Sequence, residues 1–227
     1  MTLKYIYYIT FLMLLISCKK DSNYIAYDEE KMGYNYYPIK INSSIVYDVE
    51  EISYNDYYIP VKIDTNRYLL KEYIESDYID NTGSVAYRLE RYLSKKDTIK
   101  WQIKDVWTIN KTYNSVERVE ENLRIIKMIF PITPQSIWNG NLYNNNDYIE
   151  YKYSNIGESF LIDSILYNNT VKVIHESDSS LIHKNYEYEV YAMGIGMIYK
   201  KSIHIKTLVN GMITSGSDIT YKRIVYE

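Results

Sequence analysis

The chain has 227 residues, a mass of 27.1 kDa and 46% hydrophobic residues, which allows one large folded domain and excludes a disordered or collagen-like chain. Its 26 basic and 29 acidic side chains give a net charge of -3, so no basic surface indicates nucleic-acid binding. A single cysteine excludes a disulfide framework and any multi-cysteine metal site. The unusual number is that of tyrosine, with 29 residues against 3 phenylalanines and 3 tryptophans.

Residues 1–17 have the organisation of a secretory signal peptide. Lys4 gives the start a positive charge, and the apolar stretch 5–16 is shorter than the roughly 20 residues of a membrane-spanning helix. The stretch ends in Leu15-Ile16-Ser17-Cys18, which resembles a bacterial lipobox. That resemblance implies cleavage before Cys18, lipid on its thiol, and anchoring to a membrane of the cell envelope, with the outer membrane as the expected location. Two or three acyl chains anchor a protein stably, whereas one does not.

The remaining chain divides into a short tether and one domain. Residues 18–33 are polar and charged without an apolar period, so they are predicted to link the lipidated cysteine to the domain. Charges directly after the cysteine resemble the export signals of Bacteroidota surface lipoproteins, and both a periplasmic and a surface orientation remain open. Residues 34–227 are predicted to form a single antiparallel β domain.

Alternation of apolar and polar residues predicts the strands of this domain. It recurs in five segments: 44–52, 85–93, 170–174, 186–191 and 197–205. Trp101 and Ile103 alternate with polar residues, and Trp107 and Ile109 continue the pattern after a one-residue shift, which predicts a β-bulge. Asn210-Gly211 predicts a hairpin, because both residues tolerate positive φ.

The predicted fold class is therefore mainly β. We expect a single antiparallel sheet curved into a half-barrel or a barrel, with at most one or two short helices. Residues 116–122 have apolar spacings of three and four with early glutamates, as in an amphipathic helix, but the β-branched residues that follow favour a strand. Residues 68–79 share this ambiguity.

Three short motifs carry a family resemblance. They are Tyr36-Tyr37-Pro38-Ile39, Trp138-Asn139-Gly140-Asn141 and the segment 191–198, which begins Tyr191-Ala192 and contains Gly194 and Gly196. In this order they resemble uncharacterised Bacteroidota lipoproteins with a Tyr-Phe-Pro-Leu start, a Trp-x-Gly middle and a Tyr-Ala-x-Gly-x-Gly ending. The resemblance implies an envelope location and a β-rich fold, and no reaction. This chain departs from the first motif by having Tyr37 in place of Phe.

The two glycines of the last motif are expected to form a bend into a core strand. Gly194 and Gly196 allow positive φ or close approach of another backbone. A phosphate-binding loop is not supported, because no third glycine, lysine or following helix has the required spacing.

The sequence contains no convincing catalytic or metal-binding motif. His175, His183 and His204 lack the spacing of a zinc site and are predicted to be surface or cross-strand residues. A Ser-His-Asp arrangement in space stays open, but no G-x-S-x-G motif supports it. We therefore expect no enzyme activity, no cofactor and no metal.

Two acidic groups could in principle supply paired carboxylates. Glu117, Glu120 and Glu121 form one group, and Glu187 and Glu189 share one face of a predicted strand. Because charge runs are usually solvated, and basic residues lie close to the first group, we expect its charges on the surface.

Aromatic residues offer a second kind of candidate site. Trp101, Trp107 and Trp138 could contribute to a ligand-facing surface for sugars or apolar molecules, because aromatic rings are common in binding surfaces. The simpler explanation of the tyrosine excess is an AT-rich genome together with the preference of tyrosine for strands. Thr98 and Ser164 lie in Asp-Ser/Thr-hydrophobic triplets that resemble Bacteroidota O-glycosylation sites, which implies exposed loops.

The function favoured by the sequence is that of a non-enzymatic envelope lipoprotein that binds an apolar ligand or lipid on the concave face of its sheet. This rests on the general tendency of curved sheets to hold apolar ligands. The alternative is a surface module that binds glycans or proteins, and a hydrolase is the least supported. The predicted partners are a membrane, through Cys18, and an apolar small molecule, a lipid or a glycan, without nucleic acid.

Overall fold

A computed structural model describes residues 29–98 and 100–225 of the chain. The predictions for Cys18 and the signal peptide lie outside these residues. The described chain begins with a short helix, α1 (Glu29–Met32), and a 3-10 turn at Tyr34–Tyr36. Twelve strands follow within the described residues: β1 (Ser43–Asn55), β2 (Lys62–Ile79), β3 (Val85–Ser94), β4 (Gln102–Lys111), β5 (Ser115–Glu120), β6 (Leu123–Ile129), β7 (Ile137–Asn139), β8 (Glu150–Ile162), β9 (Ile165–Ser179), β10 (His183–Ala192), β11 (Gly196–Thr207) and β12 (Ile213–Ile224).

The strands form one antiparallel sheet that is almost a closed barrel. Each strand pairs with its neighbours in sequence except at β6 and β7, and β1 also pairs with β12, so the order is β6-β5-β4-β3-β2-β1-β12-β11-β10-β9-β8-β7. Among the described strands, the ladder is interrupted only between β6 and β7. The predicted fold class, a single curved antiparallel sheet with at most two short helices, is confirmed.

The segment around Trp138 bridges the gap between β6 and β7. The backbone N–H of Ile126 on β6 donates to the Gly140 carbonyl at 3.0 Å, and the Trp138 indole N–H donates to the Ile126 carbonyl at 2.9 Å. The Asn144 amide completes the contact, accepting from the N–H of Arg124 at 2.9 Å and donating to its carbonyl at 2.8 Å. Side-chain and loop hydrogen bonds thus satisfy part of the edge that a further ladder would otherwise pair.

The bulge and the hairpin predicted from the sequence are confirmed. Arg91 pairs with Asp105 and Tyr92 with Ile103, which leaves Lys104 without a partner across β3 and β4. The Asn210-Gly211 turn joins β11 to β12, with Gly211 at φ 85° and the Met212 N–H bound to the Asn210 side chain at 3.0 Å.

Both segments with an open helix alternative are strands. Residues 68–79 lie in β2, and residues 115–120 form β5. The β5 strand ends at Glu121 and Asn122, which take positive φ values of 49° and 66° and form a two-residue turn into β6. Consecutive residues with positive φ match the twist of an antiparallel pair and cannot continue a right-handed helix.

Tyrosine supplies much of the buried interior. Among the described residues, seven tyrosines are at most 8% exposed: Tyr36, Tyr37, Tyr47, Tyr151, Tyr153, Tyr167 and Tyr191. The hydroxyl group of Tyr153 donates to the Ile129 carbonyl and that of Tyr191 to the Glu189 carboxylate, each at 2.6 Å. Part of the tyrosine excess therefore fills the core, where a hydrogen-bond partner for the phenol lowers the cost of burial.

Residues 33–42, called here the N-terminal segment, cross one end of the barrel. The Tyr34 hydroxyl donates to the Tyr113 carbonyl in the β4–β5 loop at 2.7 Å, and the Gly194 N–H in the β10–β11 turn donates to the Asn35 carbonyl at 2.7 Å. Helix α1 precedes this segment and Met32 packs against the core. The domain boundary between residues 33 and 34 stays a prediction, although ordered contacts already begin in α1.

Gly140→Ala should lower the free energy of unfolding by about 1–3 kcal/mol, the usual cost of overpacking. A Cβ at Gly140 would lie 2.5 Å from the ring of Tyr151, which is itself stacked on His175 at a centroid distance of 4.2 Å. Chemical denaturation measures the change. Ile137→Ala on β7, at a side chain 55% exposed, is the control and should change stability by less than about 0.5 kcal/mol. Equal stability of the two variants would contradict the close packing at the barrel gap.

Candidate functional site

A cavity of about 290 Å³ opens at the end of the barrel that the N-terminal segment crosses. Its walls come from that segment, from β1 and β2, and from the β10–β11 turn. Its apolar lining consists of Ile45, Ile74, Leu89, Ile109, Ile195 and Met197. The volume is at the lower limit of the roughly 300–1,000 Å³ found for small-molecule pockets.

The first and last sequence motifs meet in this cavity. Tyr37 and Pro38 of the first motif line it, as do Gly194 and Gly196 of the last. Both glycines have positive φ, 75° and 97°, and lead into β11 as the sequence predicted. A Cβ at Gly196 would lie 3.5 Å from the Ile45 side chain, so the turn approaches the cavity wall closely.

Two buried tyrosines add hydroxyl groups to the lining. The Tyr47 hydroxyl donates to the Met197 carbonyl at 3.1 Å. Burial raises the pKa of Tyr37 to about 12 and that of Tyr47 well above its usual value, with the nearby Glu72 carboxylate adding to the increase. Both phenols therefore stay neutral at physiological pH, so neither contributes a negative charge to the cavity.

Arg118 and Glu72 line the inner part of the cavity and begin a buried chain of charges. The Arg118 guanidinium lies 2.9 Å from Glu72 and 3.1 Å from Glu120. Lys127, 3% exposed at its side chain, lies 2.8 Å from Glu189, which is 2% exposed. We call the following residues the buried charge chain: Asp105, Arg91, Glu72, Arg118, Glu120, Lys127, Glu189, Lys200 and Glu187.

His175 connects two carboxylates of this chain. Its ring nitrogens lie 3.3 Å from Glu187 and 3.3 Å from Glu189, and its ring stacks on Tyr151. Only the contact with Glu187 has hydrogen-bond geometry. The imidazole therefore occupies a cross-strand position in the interior.

Neighbours of opposite charge keep the groups of the buried charge chain ionised despite burial. Burial alone would raise the pKa of Glu189, but Lys127, His175 and Lys200 outweigh it and hold that pKa well below the usual range. Burial would likewise lower the pKa of Lys127, but Glu189 and Glu120 raise it. Alternating signs thus offset much of the cost of removing these charges from water.

Unlike the groups of the buried charge chain, two cations at the mouth of the cavity have no carboxylate partner among the described residues. Lys40 and Arg223 both line it, and no carboxylate of the described residues lies within 4.0 Å of either. One Arg223 N–H donates to the Tyr167 hydroxyl at 3.2 Å. The mouth therefore has an excess of positive charge that the protein itself does not neutralise.

The three tryptophans have different surroundings. Trp138 is 7% exposed and packs on Tyr151 and Tyr153 at centroid distances of 5.8 and 4.8 Å. The guanidinium carbon of Arg91 lies 3.6 Å from the ring centroid of Trp107. Trp101 lies beside the ammonium group of Lys71. None of the three lines the cavity. Their role as ligand-facing residues stays a prediction, and the structure gives Trp138 a place in the core.

Thr98 and Ser164 are exposed, as glycosylation sites would have to be, and no contact of either tests that prediction.

The acidic residues of β5 are less exposed than the sequence predicted. Glu117 is 6% and Arg118 is 3% exposed, so the expectation of a solvated surface is wrong for these residues. A bulge after Val116 changes the register of β5 with β6 at this point.

Asp178, Ser180 and His183 lie together on the β9–β10 hairpin. The Ser180 hydroxyl oxygen is 2.8 Å from His183 Nδ1, and His183 Nε2 is 2.7 Å from Asp178. The same hydroxyl oxygen accepts hydrogen bonds from the N–H groups of Ile182 and His183, each at 3.2 Å, so it stabilises the turn.

Among the described residues, no group of three His, Cys, Asp or Glu side chains is arranged to hold a metal ion.

The fold and the cavity define a twelve-stranded antiparallel barrel, among the described residues, with a small pocket at one end. No helix in that part of the chain is long and apolar enough to cross a bilayer. No protein-family model matches the chain, and no curated protein matches it.

Two crystal structures resemble it at 10% sequence identity. One, from Bacteroides fragilis, is provisionally described as an exported protein with a YmcC-like fold; the match covers 84% of this chain and 98% of that one, with a TM-score of 0.42. The other, from Parabacteroides distasonis, is provisionally described as a lipoprotein; the match covers 82% and 96%, with a TM-score of 0.33. Both TM-scores are below 0.5, so neither likeness supports an argument about function.

Glu189→Gln should lower the free energy of unfolding by about 3–5 kcal/mol, because it leaves Lys127 buried without its main counter-charge. Chemical denaturation measures the loss. Glu150→Gln is the matched control, since the Lys152–Glu150 pair is 3.2 Å apart but about half exposed, and its loss should cost less than about 1 kcal/mol.

A double variant separates the charge pair from the shape of the side chains. Lys127→Met with Glu189→Leu removes both charges and should recover most of the stability lost in Glu189→Gln. If Glu189→Gln were no more harmful than Glu150→Gln, the buried charge chain would not have the energetic role assigned to it.

Proposed function

We propose that this protein is a non-enzymatic lipoprotein of the cell envelope that binds a small apolar ligand in the cavity of its barrel. The observation that carries the proposal is the cavity of about 290 Å³ with six apolar side chains in its lining. The sequence Leu15-Ile16-Ser17-Cys18 supports the membrane anchor. The outer membrane is the proposed location, with the domain facing the periplasm or the cell surface.

The distribution of polarity supports ligand binding at this end of the barrel. Apolar ligand surface gains roughly 25 cal/mol per Å² when it leaves water, and the six apolar side chains offer such an environment. The charges of the inner wall, Glu72 and Arg118, are already paired with each other at 2.9 Å. An apolar ligand can therefore occupy the cavity without having to satisfy those two groups.

Cys18→Ala should release the protein from the membrane fraction of a native or related host, because it removes the atom that the lipid is attached to. Fractionation and intact mass measure the outcome, with the unchanged chain as control. The wild-type mass should exceed that of residues 18–227 by the acyl groups. Unchanged membrane association of the variant would contradict the lipid anchor.

Ile45→Trp should weaken binding of the neutral fluorescent dye N-phenyl-1-naphthylamine by about tenfold or more, because the larger ring occupies the cavity. The Cys18→Ala chain is the parent, so that no acyl chain competes. The control is Val46→Trp, one residue along β1 and on the opposite face of the sheet. Saturable binding by the parent and the control, but not by Ile45→Trp, is expected. No binding by the parent, or equal binding by both variants, would overturn the proposal.

A further inference from the structure

We infer that the ligand of this cavity is a single-chain amphiphile with an acidic head group, held at the mouth by Arg223 and Lys40. The inference rests on the proposed function and adds the chemical class of the ligand. The apolar chain would lie against the cavity walls, and the carboxylate or phosphate would remain at the mouth.

The first argument is the contrast between the cations that line the cavity. Arg118 has two carboxylate partners, Glu72 at 2.9 Å and Glu120 at 3.1 Å. Arg223 and Lys40 have none within 4.0 Å among the residues that the structure describes. The other arginines of the interior, Arg91 and Arg118, are matched by carboxylates, so the partly buried and unmatched Arg223 beside an apolar cavity indicates a group that comes from outside. Lys40, which is exposed, adds a second positive charge nearby.

The second argument is the geometry of Arg223. A guanidinium has five N–H donors in a planar fork that fits two oxygens of a carboxylate or phosphate. The structure uses one of its nitrogens, in the hydrogen bond to Tyr167. Arg223 is paired across the sheet with Tyr47, so its backbone is fixed beside the inner wall of the cavity. Donors of a lining residue thus remain for a ligand in the cavity.

The third argument concerns the sign of the charge. Among the described residues, Glu72 is the one carboxylate that lines the cavity, and it is engaged by both Arg91, at 3.2 Å, and Arg118. A cationic ligand would find no free carboxylate there, and a neutral one would leave the two mouth cations unmatched. An anionic head group alone satisfies both cations, and Ser44 in the lining offers a further hydroxyl donor.

Competition experiments with ten-carbon ligands test the head group. Decanoate, decyl phosphate, decanol and decyltrimethylammonium would each displace N-phenyl-1-naphthylamine from the Cys18→Ala chain. We expect decanoate or decyl phosphate to compete at concentrations about tenfold or more below decanol, with decyltrimethylammonium weakest, because a charge-assisted hydrogen bond contributes more than a neutral one. The tighter of the two acids distinguishes a carboxylate from a phosphate ester.

Variants at the mouth connect the preference to named residues. Arg223→Gln should weaken the acidic ligand about tenfold and leave decanol unchanged, and Lys40→Gln should weaken it about threefold because Lys40 is exposed. Arg223→Lys keeps the charge and should retain part of the preference, which guards against a folding defect. Lys184→Gln is the control, since that lysine is exposed and does not line the cavity.

The outcomes separate the two proposals. If all four ligands compete equally, or if Arg223→Gln affects decanol as much as the acid, the inference about the head group is overturned while cavity binding stands. If the parent protein does not bind the dye at all, both are overturned.

Discussion

The buried charge chain is the constraint on which the rest of the barrel depends. It takes residues from most of the sheet, including Glu72 on β2, Arg118 on β5, Lys127 on β6 and Glu189 on β10. Each ion would be costly to bury alone, and each is compensated only when strands far apart in sequence are in register. Lys127 on β6 and Glu189 on β10 lie on opposite sides of the gap in the ladder, so their pairing links two strands across the interior that no strand ladder joins directly.

This constraint explains why the cavity is small and lies at one end. A twelve-stranded sheet has more interior than its apolar side chains can fill, and the charge chain occupies much of the middle. The apolar lining on one side of it, such as Ile45 and Leu89, is left for a ligand. The N-terminal segment then narrows the opening through Tyr37 and Pro38.

The sequence predicted strands within β1, β3, β4, β9, β10 and β11, the bulge at Lys104 and the β11–β12 hairpin, because these depend on alternation and on turn residues that act locally. It did not predict which face of a strand would be inside. In β10, Glu187 and Glu189 alternate with tyrosines, and either set could have faced solvent. Their inward position depends on partners on β6 and β11, which no local pattern contains. The available signal was the placement of Lys127 between apolar residues on a predicted strand, where an unpaired lysine would be unfavourable.

The position of the cavity also bears on the proposed anchor. The chain enters the described structure at Glu29, and the N-terminal segment crosses the end of the barrel where the cavity opens. Ten residues, 19–28, separate Glu29 from Cys18. The proposed lipid on Cys18 would therefore be joined to the same end of the barrel as the cavity mouth, by a segment that can span at most about 40 Å when fully extended. The proposed anchor would keep the membrane surface and the mouth with Lys40 and Arg223 within that distance of each other, which would suit a binding site whose ligand is itself an amphiphile.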